Sequence, residues 1–227
     1  MRLPARVTAL LALLLTTALA NTEKVIFLAP DIITVPDSGA TLAALGLEAI
    51  SSANTTLRTA LPVVFPSPEL PRGRESWYLL HRLQPGQRYE VRVCWPAVQP
   101  TEFWLETFNL SHVFDTPHLI QSLASFAQQQ APLAVSSKTF EDHHSSSTLF
   151  LRVQAAADYF TTNKTLMLHP QPVDVDIILD PYLANFLPAS LLPTAVYIAI
   201  LALLSFYLSG AIWRFLQPPT ASKVHSD

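Results

Sequence analysis

Leu191 to Ile212, LLPTAVYIAILALLSFYLSGAI, is an apolar run without a charged residue that ends against Trp213 and Arg214. A hydrocarbon core about 30 Å thick is crossed by about 20 apolar residues at 1.5 Å rise each, and a centrally buried Asp, Lys or Arg would cost about 2.5–3.5 kcal/mol. The run therefore predicts a single membrane-spanning helix, whereas a buried helix of a soluble protein would be shorter and keep a polar stripe. A second apolar run, Val7 to Leu15, follows Arg2 and Arg6 and leads to small residues at Ala18 and Ala20. That order predicts a secretory signal cut between Ala20 and Asn21.

Between the two runs the apolar positions recur mostly with a period of two. Tyr89, Val91, Val93 and Trp95 alternate with Arg88, Glu90, Arg92 and Cys94, which places one apolar set on one face of a half-buried strand. Strands are predicted likewise at Glu23–Leu28, Leu57–Phe65, Ser76–Leu83, Thr101–Phe108, Thr148–Gln154, Thr165–His169 and Val173–Asp180. Pro62 assigns Leu57–Phe65 to an edge or a bulge, and Pro66, Pro68 and Pro71 make an extended connection after it. Ser38–Ala53 contains helix formers weakened by Gly39 and Gly46, and fits a short helix or a loop with a strand. In the segment after Thr116, Leu119, Leu123 and Phe126 fall at helical spacing, with Pro117 at a permitted first-turn position and Pro132 beyond the end. A short helix packing on the core is expected there, and a polar loop over Lys138–Ser147.

The order Leu83-x-Pro85-Gly86-x-x-Tyr89-x-Val91-x-Val93 resembles the corner of fibronectin III and Ig-like sandwiches. In such folds the Tyr hydroxyl bonds back to upstream backbone. The fold class expected is mainly β, a β-sandwich-like lumenal domain with a short helix and one C-terminal transmembrane helix. At 227 residues, the chain divides as a signal peptide (1–20), a β-rich domain (21–186), a membrane-proximal segment and helix (187–213), and a tail (214–227).

Composition narrows the function classes. A net charge of −3 supplies no basic stripe for nucleic acid. Asp174, Asp176 and Asp180 lie before the span and Arg214 and Lys223 after it, which with the signal predicts a type I orientation. A polar tail after the span argues against a GPI-attachment signal, which ends with its apolar stretch. Cys94 is the one cysteine, so no intramolecular disulfide forms and the domain relies on its own core; a buried free thiol is expected. Acceptor triplets for N-glycosylation start at Asn54, Asn109 and Asn163, all between the two apolar runs.

Candidate chemistry is thin. Glu141, Asp142, His143 and His144 could offer ligands to a divalent cation, yet a zinc site draws its ligands from separated elements, and a solvated loop accounts for them. Asp174, Asp176 and Asp180 carry a D-x-D spacing but sit in a strand alternation that makes a polar sheet face. No G-x-S-x-G, H-E-x-x-H or Gly-rich phosphate loop occurs, and with Gly 5 in the whole chain a phosphate cradle is poorly supplied. A non-enzymatic protein with no cofactor and no metal is expected.

Within the apolar run, Ser205, Ser209 and Gly210 permit close approach of a second helix. The C-terminal Lys223-Val224-His225-Ser226-Asp227 resembles the K-x-H-x-x form of signals that retrieve type I proteins to the endoplasmic reticulum. The start Asn21-Thr22-Glu23-Lys24-Val25-Ile26-Phe27-Leu28 after Ala20, with the overall layout, resembles the fungal non-catalytic subunit of GPI mannosyltransferase II. That resemblance implies an accessory protein of the endoplasmic reticulum membrane whose partners are the bilayer and a multispanning mannosyltransferase that adds the second mannose. Two other classes share the topology. A secretory cargo receptor or chaperone-like adaptor would bind many exported clients, and a single-span lumenal enzyme would need a pocket of converging titratable groups.

Overall fold

The structure, a computed structural model, describes residues 21–34, 42–130 and 145–217. The expectations for Met1–Ala20, the Glu141–His144 cluster, Lys223 and His225 fall outside these residues. Among the described residues, two five-stranded sheets are formed. In the first, β1 (Thr22–Leu28) pairs with β6 (Arg88–Cys94), and β6 with β9 (Val173–Leu183). The far edge of β9 is shared by β4 (Thr56–Leu61) and the two-residue β10 (Leu187–Pro188). All these pairings are antiparallel. In the second sheet β8 (Ser145–Ala157) is flanked by β5 (Arg74–Leu83) on one side and by β7 (Thr101–Asn109) and β2 (Ile33–Thr34) on the other. The short β3 (Ala49–Ser51) joins β5 in parallel.

The period-two patterning explains why the sheets stack. Tyr89, Val91 and Val93 of β6 and Val173, Val175, Ile177 and Leu179 of β9 point inward against Tyr78, Leu80, Phe103, Leu105, Leu151 and Val153 of the second sheet, all nearly fully buried. At about 25 cal/mol per Å² of apolar surface removed from water, this shared interior is the main term holding the domain together without a disulfide. The second sheet is apolar on its outer face too. Trp77, Leu79 and Phe150 are covered there by α1 (Leu110–Asp115) and α2 (Pro117–Gln130), whose Leu119 and Leu123 are buried. Trp77 Nε1 donates to Ser122 at 2.9 Å and so pins α2 to the sheet. The result is a sandwich with a helical third layer, which is the mainly β class with one apolar C-terminal helix that the patterning predicted.

The corner at Tyr89 forms as its sequence predicts. Gln84 N donates to the Tyr89 hydroxyl at 3.0 Å, and the hydroxyl donates to Gln87 Oε1 at 2.8 Å. Pro85 and Gly86 make the turn between β5 and β6, closed by Gln87 N to Gln84 O at 3.1 Å, with Gly86 at φ +71° as a type II turn requires. Gly73 has the stricter requirement. Its φ is +72°, and a Cβ there would stand 2.0 Å from the Ala155 carbonyl oxygen.

Several expectations are corrected. Thr165–His169 is not a strand, because Lys164–Leu168 forms a short helix, α3, whose cap is Asn163 with Oδ1 accepting from Thr165 N. Leu57–Phe65 stops being a strand at Leu61, before Pro62, and lies on an edge. Of the polar loop expected over Lys138–Ser147, Ser145–Ser147 belong to β8 and the rest lies outside the described residues. By contrast, the described part of Ser38–Ala53 agrees with its reading as a short helix or a loop with a strand, with a 3-10 turn at Leu42–Leu45 followed by β3. The apolar helix, α4, runs Leu192–Leu216 and so passes Ile212 by a full turn; Arg214 in its last turn complements the negative end of the helix dipole.

Candidate partner interface

The passage from sheet to apolar helix is built by local residues that each hold the next. After β9 the chain turns at Ala184 (φ 50°) and Asn185 (φ 57°), closed by Phe186 N to Leu183 O at 3.0 Å. Asn185 tolerates the left-handed region, and its side chain is doubly used. Arg88 N donates to Asn185 Oδ1 at 2.7 Å and Asn185 Nδ2 donates to Gly86 O at 3.0 Å. Leu187 and Pro188 then pair back on Leu183 and Tyr182. Ser190, in the 3-10 turn before α4, donates its N–H to Asp180 Oδ1 at 3.2 Å and its hydroxyl to Asp180 Oδ2. α4 is thereby tied to the first sheet at its entry.

Asp180 stands directly across from Glu90, and both carboxylates are buried on the outer face of that sheet. Like charges in a cross-strand pair repel. The arrangement stands because Arg92 Nη1 lies 3.7 Å from Glu90 and 4.0 Å from Asp180, Lys24 Nζ lies 3.0 Å from Glu90, and the Tyr182 hydroxyl donates to Glu90 Oε2 at 3.3 Å. Asp180 thus lies on the polar sheet face expected for it, but buried there as an anchor. Asp176 instead takes a bidentate bond from exposed Arg58 at 2.7 and 2.9 Å, which holds its carboxyl below the usual carboxylate range. Asp174 is exposed and borders a shallow depression of about 680 Å³ with Arg58, Cys94 and Trp95. The three aspartates do not converge. Among the described residues, no three His, Cys, Asp or Glu side chains are grouped as metal ligands.

Cys94 is a free thiol but only half-buried, which corrects the expectation of a buried one. It lies at the open end of β6, on the outer face, with Thr22 Oγ1 donating to its sulfur at 3.7 Å. Asn54, Asn109 and Asn163 are all exposed. Asn163 uses Oδ1 for its capping bond, and Asn109 begins α1 without a side-chain cap.

α4 is the one described helix long and apolar enough to cross a membrane, and none of its span is buried within the protein. At about 3.6 residues per turn, Thr194, Ala195, Ala199, Ala202, Ser205, Ser209 and Gly210 fall on one side, interrupted by Ile198 and Phe206. Tyr197, Ile200, Leu201, Leu204, Tyr207 and Leu208 fall on the other. Ser205 and Ser209 border a depression of about 350 Å³ with Leu208 and Trp213, and Ser209 and Gly210 border another of about 480 Å³. A Cβ at Gly210 would meet nothing within 4 Å. Sequence spacing found this face; it could not find the Asp180–Ser190 tie, whose partners pair only after the turn at Ala184–Asn185 folds back.

Comparison with known proteins gives two findings. The family Pga1, described as GPI-Mannosyltransferase II co-activator, matches residues 11–212. A curated protein of Schizosaccharomyces pombe, GPI mannosyltransferase 2 subunit C167.09, is 23% identical over 154 residues, covering 65% of each chain. No solved structure matches.

Proposed function

Because the chain belongs to the Pga1 family of GPI-mannosyltransferase II co-activators, we propose that it is the non-catalytic subunit supporting the mannosyltransferase that adds the second mannose to the GPI precursor. The family is described as a co-activator, not as the transferase. The family match over residues 11–212 carries this reading, and a curated GPI mannosyltransferase 2 subunit among the relatives accords with it. In this reading the β-domain is lumenal, α4 spans the endoplasmic reticulum membrane, and Ser205, Ser209 and Gly210 pack on a helix of a multispanning catalytic partner. An open Gly210 and hydroxyls one turn apart suit such a contact. Depleting the protein should stall GPI assembly with a one-mannose precursor accumulating in labelled lipid extracts; unchanged precursor processing would remove the proposal.

The topology and address are tested together. Glycans on exposed Asn54, Asn109 and Asn163, about two of the three being used, should appear only if the β-domain is lumenal, seen as endoglycosidase-sensitive mobility steps lost in the Asn→Gln variants. With Lys223→Ser and His225→Ser, those glycans should acquire the later modifications of the secretory pathway. Unglycosylated protein would reverse the orientation, and unmodified glycans in the double variant would discard the retrieval signal.

A further inference from the structure

We propose that the end of the β-domain from which α4 leaves is itself seated in the bilayer interface, with Leu28, Ile32, Leu183 and Phe186 among the headgroups and upper acyl chains and Arg88 among the lipid phosphates. This rests on α4 being a membrane span. The strand registers bring the relevant connections to one end: Leu28 of β1 pairs with Arg88 of β6, and β6 runs antiparallel to β9, whose last residues lead to α4. The connections are bonded to one another there. Ala29 N donates to Gln87 O at 2.9 Å, Gly86 N to Ala29 O at 3.0 Å, and Asn185 links Gly86 and Arg88.

Large apolar side chains are exposed at this end. Leu28 is 58% exposed, Ile32 55%, Leu183 42% and Phe186 85%, two at or just after the end of β1 and two at or just after the end of β9. Fluid lipid accepts exposed apolar side chains without a complementary shape, and α4, read as a span, brings the bilayer to this end. Exposed Arg88 beside them fits a phosphate-bearing interface, where a guanidinium can pair with lipid phosphate.

Reach decides the height. Trp213 and Arg214 mark one boundary of the span, and about 20 residues back lies Pro193, so Ala189–Leu192 occupy the opposite headgroup layer. Phe186 precedes Ala189, the first residue of that layer, by no more than about 11 Å of extended chain. The Ser190–Asp180 bonds and the β10 pairing prevent the domain from lifting away on a loose tether.

The test uses the full chain in nanodiscs of phosphatidylcholine and phosphatidylinositol. In a Cys94→Ser background, single variants Leu28→Cys, Phe186→Cys, Val98→Cys, Phe160→Cys and Leu204→Cys carry a nitroxide, and collision with oxygen is compared with collision with a water-soluble nickel chelate. Val98 and Phe160, 87% and 86% exposed at the opposite end, serve as equally exposed controls. Positions 28 and 186 should show an oxygen-to-nickel ratio severalfold above positions 98 and 160. Equal ratios, with position 204 deep in lipid, would overturn the seat and leave the span intact; an aqueous position 204 would remove the span and the seat with it. If Cys94→Ser does not fold, a photoreactive phenylalanine at 28 or 186 of the otherwise native chain replaces the nitroxide, and crosslinks to protein instead of lipid contradict the inference.

Discussion

His81 is half-buried near the end of β5, and its imidazole is pulled down to about 4, by burial first and by the Arg82 charge second. In the unfolded chain the same group titrates near 6.5. Between these values the unfolded state binds the extra proton, so stability is fully present above about pH 6.5 and falls as pH drops towards 4. The thermal midpoint of the purified protein should decline through that window, and His81→Gln should flatten the decline; identical slopes would exclude His81 as its source. At this same scale some residues were legible and others were not. Tyr89 announced its bond by its place after Leu83-x-Pro85-Gly86, because the corner is local in sequence. Asp180 read as one more aspartate in an alternation, because Ser190 and Arg92 reach it only through the folded sheet.

Among elements, strands β6, β7 and β9 and helix α2 followed their apolar spacing because burial of one face decides each of them, while β5 reads as a strand whose apolar residues fill both faces. Thr165–His169 misled for the opposite reason: no face of it enters the core, so the Asn163 cap and local helical bonding govern instead. The outer layer of α1 was not legible either, since Leu110 and Val113 are buried against Trp77 and Phe150 only once the second sheet exists. α4 is the element with most left exposed, and its two faces differ in bulk. In the complex, Leu at positions 205, 209 and 210 should lower co-recovery of the transferase at least severalfold while insertion of the span is unaffected, measured by mild-detergent pull-down alongside carbonate extraction. Undiminished recovery would return α4 to the role of anchor alone.

For the whole molecule, a disulfide-free sandwich with a third helical layer is joined to one exposed apolar helix by short, bonded connections, and several of its titratable groups are engaged in holding that architecture. Glu75, Glu106 and Arg152 form ion pairs on the second sheet, as Glu90, Asp180 and Arg92 do on the first. Together with membership of a co-activator family, this organisation accords with a protein that acts through contact. The central claim is met most directly by affinity purification of the full chain from its native membranes in mild detergent, with quantitative mass spectrometry of what is retained. One multispanning mannosyltransferase in near-equal amount is the result predicted; its absence, with many secretory clients in its place, would contradict the subunit reading and favour an adaptor.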